Sequence, residues 1–191
     1  LLNNHVRILL ELMDYKQLAE FNRGRRICQI CLVTGREIND VLKEWVEKLQ
    51  IGPWKVICFT NEVVRNGVME GGPIDHPFKY YCAVTMVGDI QIEILKPIYG
   101  MPVLERFLAG GGDNLQHFKL FVPDAEAEGF LGRMASFGVS ITYAGQFFND
   151  YYCNFGTRDT LGFDLEIGNA ADVDVPKKYV YEYPPQDLEE I

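Results

Sequence analysis

Basic residues are outnumbered, histidine is scarce, and no apolar run is long. The 191-residue chain has 18 Lys and Arg against 27 Asp and Glu, a formal net charge of −9. Nucleic-acid binders normally carry the opposite imbalance, because their cations must displace counterions from phosphates. Nucleic acid is therefore not an expected partner. No apolar stretch approaches the ~18–20 residues that cross a bilayer. Leu1 to Leu12 is broken by Asn3, Asn4, His5, Arg7 and Glu11, so it reads as neither a signal peptide nor a membrane span. Five cysteines do not pair evenly, so a disulfide framework is not expected and a reducing, cytoplasmic setting is. With only three histidines (His5, His76 and His117), any metal site must draw mainly on carboxylates and amides.

What is present points to a folded chain. Hydrophobic residues make up 48% and aromatic residues 13%, far from a disordered composition. Val6, Leu9, Leu10 and Met13 recur at helical spacing and predict an amphipathic helix over about residues 4–21, ended by Arg23-Gly24-Arg25-Arg26. An apolar strand, Ile27 to Thr34, follows. Ile38, Val41, Leu42, Trp45, Val46 and Leu49 then obey helical spacing until Gly52-Pro53. Strands are expected at 54–60, 79–87 and 89–95, the last closed by Pro97, with a loop from Asn61 to Pro77. After a glycine-rich joint at 109–113 the order repeats. A strand runs from Leu115 to Val122, and a helix is capped by Asp124 with Ala127, Phe130, Leu131, Met134 and Phe137 as its buried stripe. It ends at Gly138 and is followed by strands near 139–144, 150–156 and 161–167.

The pattern is strand–helix–strand–strand–strand, twice. It divides the chain into an N-terminal helix and basic linker (1–26), a first βαβββ module (27–108), a second (109–170) and an acidic extended tail (171–191). The tail carries six acids and two lysines from Asp172 onward. The expected class is α+β.

Alternation within the first and last strand of each module places four polar side chains on otherwise apolar strands. Ile90, Ile92 and Ile94 oppose Gln91 and Glu93, and Phe163, Leu165 and Ile167 oppose Asp164 and Glu166. Gln29 sits between Cys28 and Ile30, and His117 holds the matching place in the second module. Aligning the halves sets Gln29 against His117 and Glu93 against Glu166. A buried carboxylate is costly without compensation, and a divalent cation held by Gln29, Glu93, His117 and Glu166 would supply it. The plain alternative is four solvated residues on an open sheet face.

These segments resemble the vicinal-oxygen-chelate superfamily, the glyoxalase, bleomycin-resistance and dioxygenase fold, and most of all its methylmalonyl-CoA epimerase branch. The resemblance is carried by Ile27–Val33, by Leu49–Trp54 and by Ile92-Glu93-Ile94-Leu95-Lys96-Pro97. Gly112–Phe118 and Asp159–Glu166 complete it. It implies two modules curving into a barrel-like mixed sheet with helices outside, around one divalent ion (zinc, nickel, cobalt or manganese). The ligands it implies are Gln29, Glu93, His117 and Glu166. It further implies proton abstraction next to a carbonyl, as in an epimerase or isomerase, with Glu166 as first and Glu93 as second candidate base. Gln29 departs from the histidine usual in that branch and resembles the ligand set of certain glyoxalase I enzymes, which makes a lactoylglutathione lyase the first alternative. A non-catalytic binder of the bleomycin-resistance type is the second. The implied partners are a small molecule, an acyl-CoA or a glutathione adduct, and a second copy of the chain.

Other features carry plainer readings. Cys28-Gln29-Ile30-Cys31 neither opens a helix nor has a partner pair, so it is read as neither a redox motif nor a zinc knuckle. Gly110-Gly111-Gly112 leads into a strand rather than a helix, unlike a phosphate cradle. Arg23, Arg25 and Arg26 form a solvated run. Glu62 and Glu70 lie in the long loop, a place for a second catalytic base.

Overall fold

The computed structural model describes residues 14–111 and 113–185. The apolar stripe Val6, Leu9, Leu10 and Met13 lies outside them, as do His5 and Gly112. The described part of the first helix, α1 (Tyr15–Arg23), begins at an N-cap, Asp14, whose carboxylate accepts from the backbone of Lys16 and Gln17. Gln17 returns a bond to the Asp14 backbone, completing a capping box.

The elements that follow are β1 (Ile27–Val33), α2 (Ile38–Leu49), β2 (Trp54–Thr60), β3 (Val64–Met69), β4 (Gly72–Pro73), β5 (Lys79–Val87) and β6 (Ile90–Tyr99). The chain continues through α3 (Pro102–Gly111), β7 (Asn114–Phe121), α4 (Asp124–Ser136), β8 (Ile141–Phe147), β9 (Asp150–Phe155), α5 (Arg158–Leu161), β10 (Asp164–Gly168) and β11 (Val180–Tyr183). All eleven strands belong to one mixed sheet, in the order β11-β2-β5-β6-β1-β7-β10-β9-β8-β3-β4. The central eight are palindromic in role. Each half places its first strand at the seam and its fourth beside it in parallel, β1 with β6 and β7 with β10, and β1 meets β7 antiparallel. The sheet curls into a half-barrel, and Phe59 of β2 stacks on Phe147 of β8 with ring centroids 4.3 Å apart.

The two edges are exchanged between the halves. β3, which leaves the first half, pairs with β8 of the second, and β11 from the tail pairs with β2 of the first.

Three apolar clusters hold this arrangement. Ile38, Val41 and Leu42 of α2 cover the outer face at Trp54, Val56, Ala83 and Ile94. Phe130, Leu131 and Met134 of α4 cover Val122, Cys153, Phe155 and Ile167. The concave side holds the largest cluster, which includes Ile57, Phe59, Tyr80, Leu95, Leu104 and Phe147.

Several expectations are corrected. Residues 102–111 form α3, which takes in the start of the glycine-rich joint expected at 109–113. Pro102 opens the helix, where its missing N–H costs nothing, and Leu104, Phe107 and Leu108 pack on the concave cluster. Part of the expected 61–77 loop is the β3–β4 hairpin, and part of the expected extended tail is β11. β6 runs through Pro97 to Tyr99, because Pro97 falls past the last rung shared with β1, where only β5 pairs. Pro123, not Asp124, is the N-cap of α4, and Phe137 is 58% exposed rather than part of a buried stripe. No described helix is long and apolar enough to cross a membrane.

Leu42 is fully buried between α2 and the outer sheet face. Leu42→Ala should lower the unfolding free energy by about 2–5 kcal/mol. A shifted urea midpoint at unchanged slope is the expected signature, and an unchanged midpoint would contradict the packing described.

Candidate metal centre

Strand register sets the floor of the concave side. Across β6, β1, β7 and β10, one rung aligns Gln91, Gln29, Lys119 and Glu166. The next aligns Glu93, Cys31, His117 and Asp164. The four residues expected to converge are therefore drawn from two adjacent rungs. Gln29 and His117 are diagonal neighbours, and Glu93 and Glu166 approach from opposite flanks of the seam.

All four meet at one atom. His117 is fully buried, and its Nε2 lies 3.1 Å from Gln29 Oε1, 3.5 Å from Glu93 Oε2 and 3.3 Å from Glu166 Oε2. The other ring nitrogen, Nδ1, contacts Gln116 Oε1, and the Gln116 amide donates through Nε2 to Asp164 Oδ2 at 2.8 Å. That bond orients the Gln116 oxygen toward the ring, so Nδ1 carries the proton and donates it. In the neutral imidazole, Nε2 is then a bare lone pair facing three oxygen acceptors. Only an added proton or a cation makes that arrangement favourable.

The spacing suits a cation. Two ligands at ~2.1 Å from an ion are separated by about 3.0 Å at a right angle and about 3.4 Å at the tetrahedral angle, close to the separations from Nε2. Charge points the same way. On the pocket floor, Glu93, Glu166 and Asp150 set three carboxylates beside the ammonium of Lys119, an excess of negative charge that a divalent ion would offset. Asn154 Oδ1, wholly buried, has no hydrogen-bond partner among the described residues.

Lys119 is the main surprise. It is only 4% exposed, with Nζ 3.2 Å from Glu166 Oε1 and 3.6 Å from Asp150 Oδ2. Burial alone would favour the neutral amine. The charges of Glu166, Asp150 and Glu93 outweigh it and hold the ammonium above the ordinary lysine value. Burial likewise pushes the Glu166 carboxyl up, but His117, Lys119 and the 2.6 Å bond from Asn154 Nδ2 bring it below its usual range. At Asp150 burial prevails over Lys119, and the carboxyl is raised. Gly168 makes room for this lysine, since a Cβ there would collide with Lys119 Cε and the Tyr151 carbonyl.

Two thiols flank Glu93. Cys82 Sγ donates to Glu93 Oε1 at 3.1 Å. Ligand atoms of Cys31, Glu93 and His117 lie within 4.8 Å of one another, a grouping able to hold a metal ion. Burial, then the Glu93 charge, pushes both thiols well up, and all five cysteines are free. The cavity above this floor measures about 290 Å³. Its walls include Phe59, Tyr80, Phe147 and Tyr152, and its mouth carries Arg26 and Lys55. Tyr143 also lines it, with a buried hydroxyl that has no partner among the described residues.

No protein-family model matches the chain, and no curated protein matches it. Solved structures do. A hypothetical protein of Bacillus halodurans aligns at 15% identity, covering 80% of this chain and 99% of that one, with a TM-score of 0.57. Methylmalonyl-CoA epimerase from Mycobacterium tuberculosis aligns at 16% identity over 76% and 88%, at 0.51. A Streptomyces coelicolor methylmalonyl-CoA epimerase variant in complex with 2-nitronate-propionyl-CoA aligns at 15% over 79% and 98%, at 0.52. This is the vicinal-oxygen-chelate fold. Within it, the first and last strands of each half (β1, β6, β7 and β10) carry the converging side chains.

The vicinal-oxygen-chelate floor holds more than sequence reasoning collected. Lys119 and Cys31 were missed, although each stands two residues from a chosen position (His117 and Gln29) and so shares its face. Cys31 was set aside as half of a pair with Cys28. Asp150, Cys82 and Tyr143 come from β9, β5 and β8, whose alternation was not followed. Glu62 accepts from Tyr179 Oη and Glu70 pairs with Arg106; both are exposed and neither lines the cavity. His76 is likewise exposed.

A divalent ion at about 100 times its dissociation constant should stabilise the metal-free protein by about 2.7 kcal/mol. The rise in melting temperature should vanish in His117→Ala. Equal shifts in both proteins would place the ion elsewhere.

Proposed function

We propose that this protein is a divalent-metal-dependent enzyme that abstracts a proton next to a carbonyl, with an epimerase or isomerase outcome. The observation that carries this reading is the convergence of Gln29, Glu93 and Glu166 oxygens on Nε2 of His117. These four residues are the proposed ligand set. A divalent ion held there supplies Lewis-acid polarisation of a substrate carbonyl, which acidifies the adjacent carbon.

The protein's own groups do the rest. Glu166 is the proposed proton acceptor, oriented by Lys119 and Asn154. Glu93 reaches the same locus from the other flank of the seam, so one carboxylate can remove a proton and the other return it to the opposite face. The aromatic wall excludes water from the developing anion. Of substrate classes, an acyl thioester fits best. The epimerase of the same fold binds an acyl-CoA analogue, the cavity seats a small acyl group, and Arg26 and Lys55 at the mouth can receive an anionic tail. A glyoxalase I-like lyase is the second reading, favoured by the amide oxygen of Gln29 in a place where the epimerase branch usually has histidine.

The test is solvent-deuterium exchange at the α-carbon of a short branched acyl-CoA, followed by mass spectrometry. Metal-loaded protein should catalyse exchange, and Glu166→Gln should reduce it by about 10²–10⁴-fold with the fold retained. Full exchange by Glu166→Gln would remove its role as base. Metal-loaded protein that exchanges no acyl-CoA but converts the glutathione hemithioacetal would favour the lyase.

A further inference from the structure

We propose that Cys31 is a ligand of the metal centre, so that the ion is held by a thiolate together with His117 and Glu93, while Glu166 stays off the ion, held by Lys119 and Asn154. This rests on the reading that an ion binds in this pocket, and it puts Cys31 in the place of Gln29 and Glu166 in the ligand set.

Three observations carry it. First, Cys31 occupies the rung of β1 that pairs with Glu93 on one side and His117 on the other. Gln29 and Glu166 belong to the neighbouring rung. The ligand atoms of Cys31, Glu93 and His117 already lie within 4.8 Å of one another, and Cys31 has no exposed surface. Second, competition for each donor differs. Glu166 Oε1 is held by the Lys119 ammonium at 3.2 Å, and Oε2, although 3.3 Å from His117 Nε2, accepts a 2.6 Å bond from Asn154 Nδ2. The Cys31 thiol, in contrast, contacts the adjacent Leu32 carbonyl at 3.4 Å and the carboxylate of Glu93, itself a ligand of the proposed site. An ion at the Cys31 side therefore displaces little. An ion bound by Glu166 must compete with a fixed cation of like charge beside it. Third, the arrangement removes a chemical difficulty of the four-ligand set, because a carboxylate on a metal is a weaker base than one held by an ammonium and an amide.

The consequence is metal preference. A site with one sulfur, one nitrogen and a carboxylate favours borderline ions such as zinc(II) and cobalt(II) over manganese(II) or magnesium(II), which prefer oxygen donors. Binding displaces the thiol proton, since a coordinating thiol is deprotonated.

Cobalt(II) titration of the metal-free full chain, followed by absorption, separates the possibilities. A stoichiometric site with an intense near-ultraviolet sulfur-to-cobalt charge-transfer band is expected. Cys31→Ser should lose the band and weaken binding by at least about tenfold. Glu166→Gln and Cys82→Ser should each keep the band. Cobalt bound with only weak d–d bands would overturn the thiolate ligand and leave the metal-dependent reading standing. A band that persists in Cys31→Ser and vanishes in Cys82→Ser would overturn it as well. Absence of any stoichiometric cobalt site would instead bring down the metal-dependent reading itself. If Cys31→Ser does not fold, a band retained in Cys82→Ser still supports the Cys31 thiolate, and a band lost there overturns it.

Discussion

The floor of this pocket depends on one pairing, β1 against β7. Each of these strands has its parallel partner on the far side, so joining them brings four strands from the two halves into one continuous floor. Register then decides chemistry. Because β1 and β7 run antiparallel, Cys31 falls opposite His117 and Gln29 opposite Lys119. A slip of one residue would turn every one of these groups to the helix-covered side. Thr34 Oγ1 and the Gly35 amide both donate to Asp113, locking the end of β1 to the start of β7.

An electrostatic tension is built on that seam. Burying Glu166 and setting Asp150 and Glu93 near it is unfavourable unless positive charge is close. Lys119 provides part of that charge permanently, and no exchange with solvent can remove it. The remainder is left to His117 and to whatever cation the floor admits. The distinction between resident and exchangeable charge falls within Glu166 itself, whose Oε1 meets Lys119 while Oε2 lies among the oxygens around His117 Nε2. The overall acidity of the chain has little to do with this, being spread mostly over exposed side chains.

Much of the floor was legible in sequence because strand alternation is a local rule. Gln29, Glu93, His117 and Glu166 each break the pattern of an otherwise apolar strand, and the repeated order of elements aligned them. Lys119 escaped because a lysine at a strand end ordinarily reaches water, and only the space beside Gly168 makes its burial possible. Cys31 escaped because it was weighed as a partner of Cys28 rather than of residues on β6 and β7. The exchanged edges β3 and β11 were illegible for another reason. Gly67 and Asn66 in one, and Pro176 and Pro184 around the other, read locally as loop. Their strand character comes from distant partners, β8 and β2, which propensity does not report. α3 hid behind Pro102 and the glycines of its last turn, although Leu104, Phe107 and Leu108 had helical spacing.

The seam also divides the donors evenly. The half containing β1 and β6 owns Gln29, Cys31 and Glu93, and the half containing β7 and β10 owns His117, Glu166 and Lys119. Neither half alone brings both an imidazole and a thiol to the floor, since Cys31 comes from one and His117 from the other. Ion affinity in such a floor is a direct gauge of whether the two halves are joined. A cation bound between them would bridge the seam, so its binding would add to the free energy that holds β1 against β7.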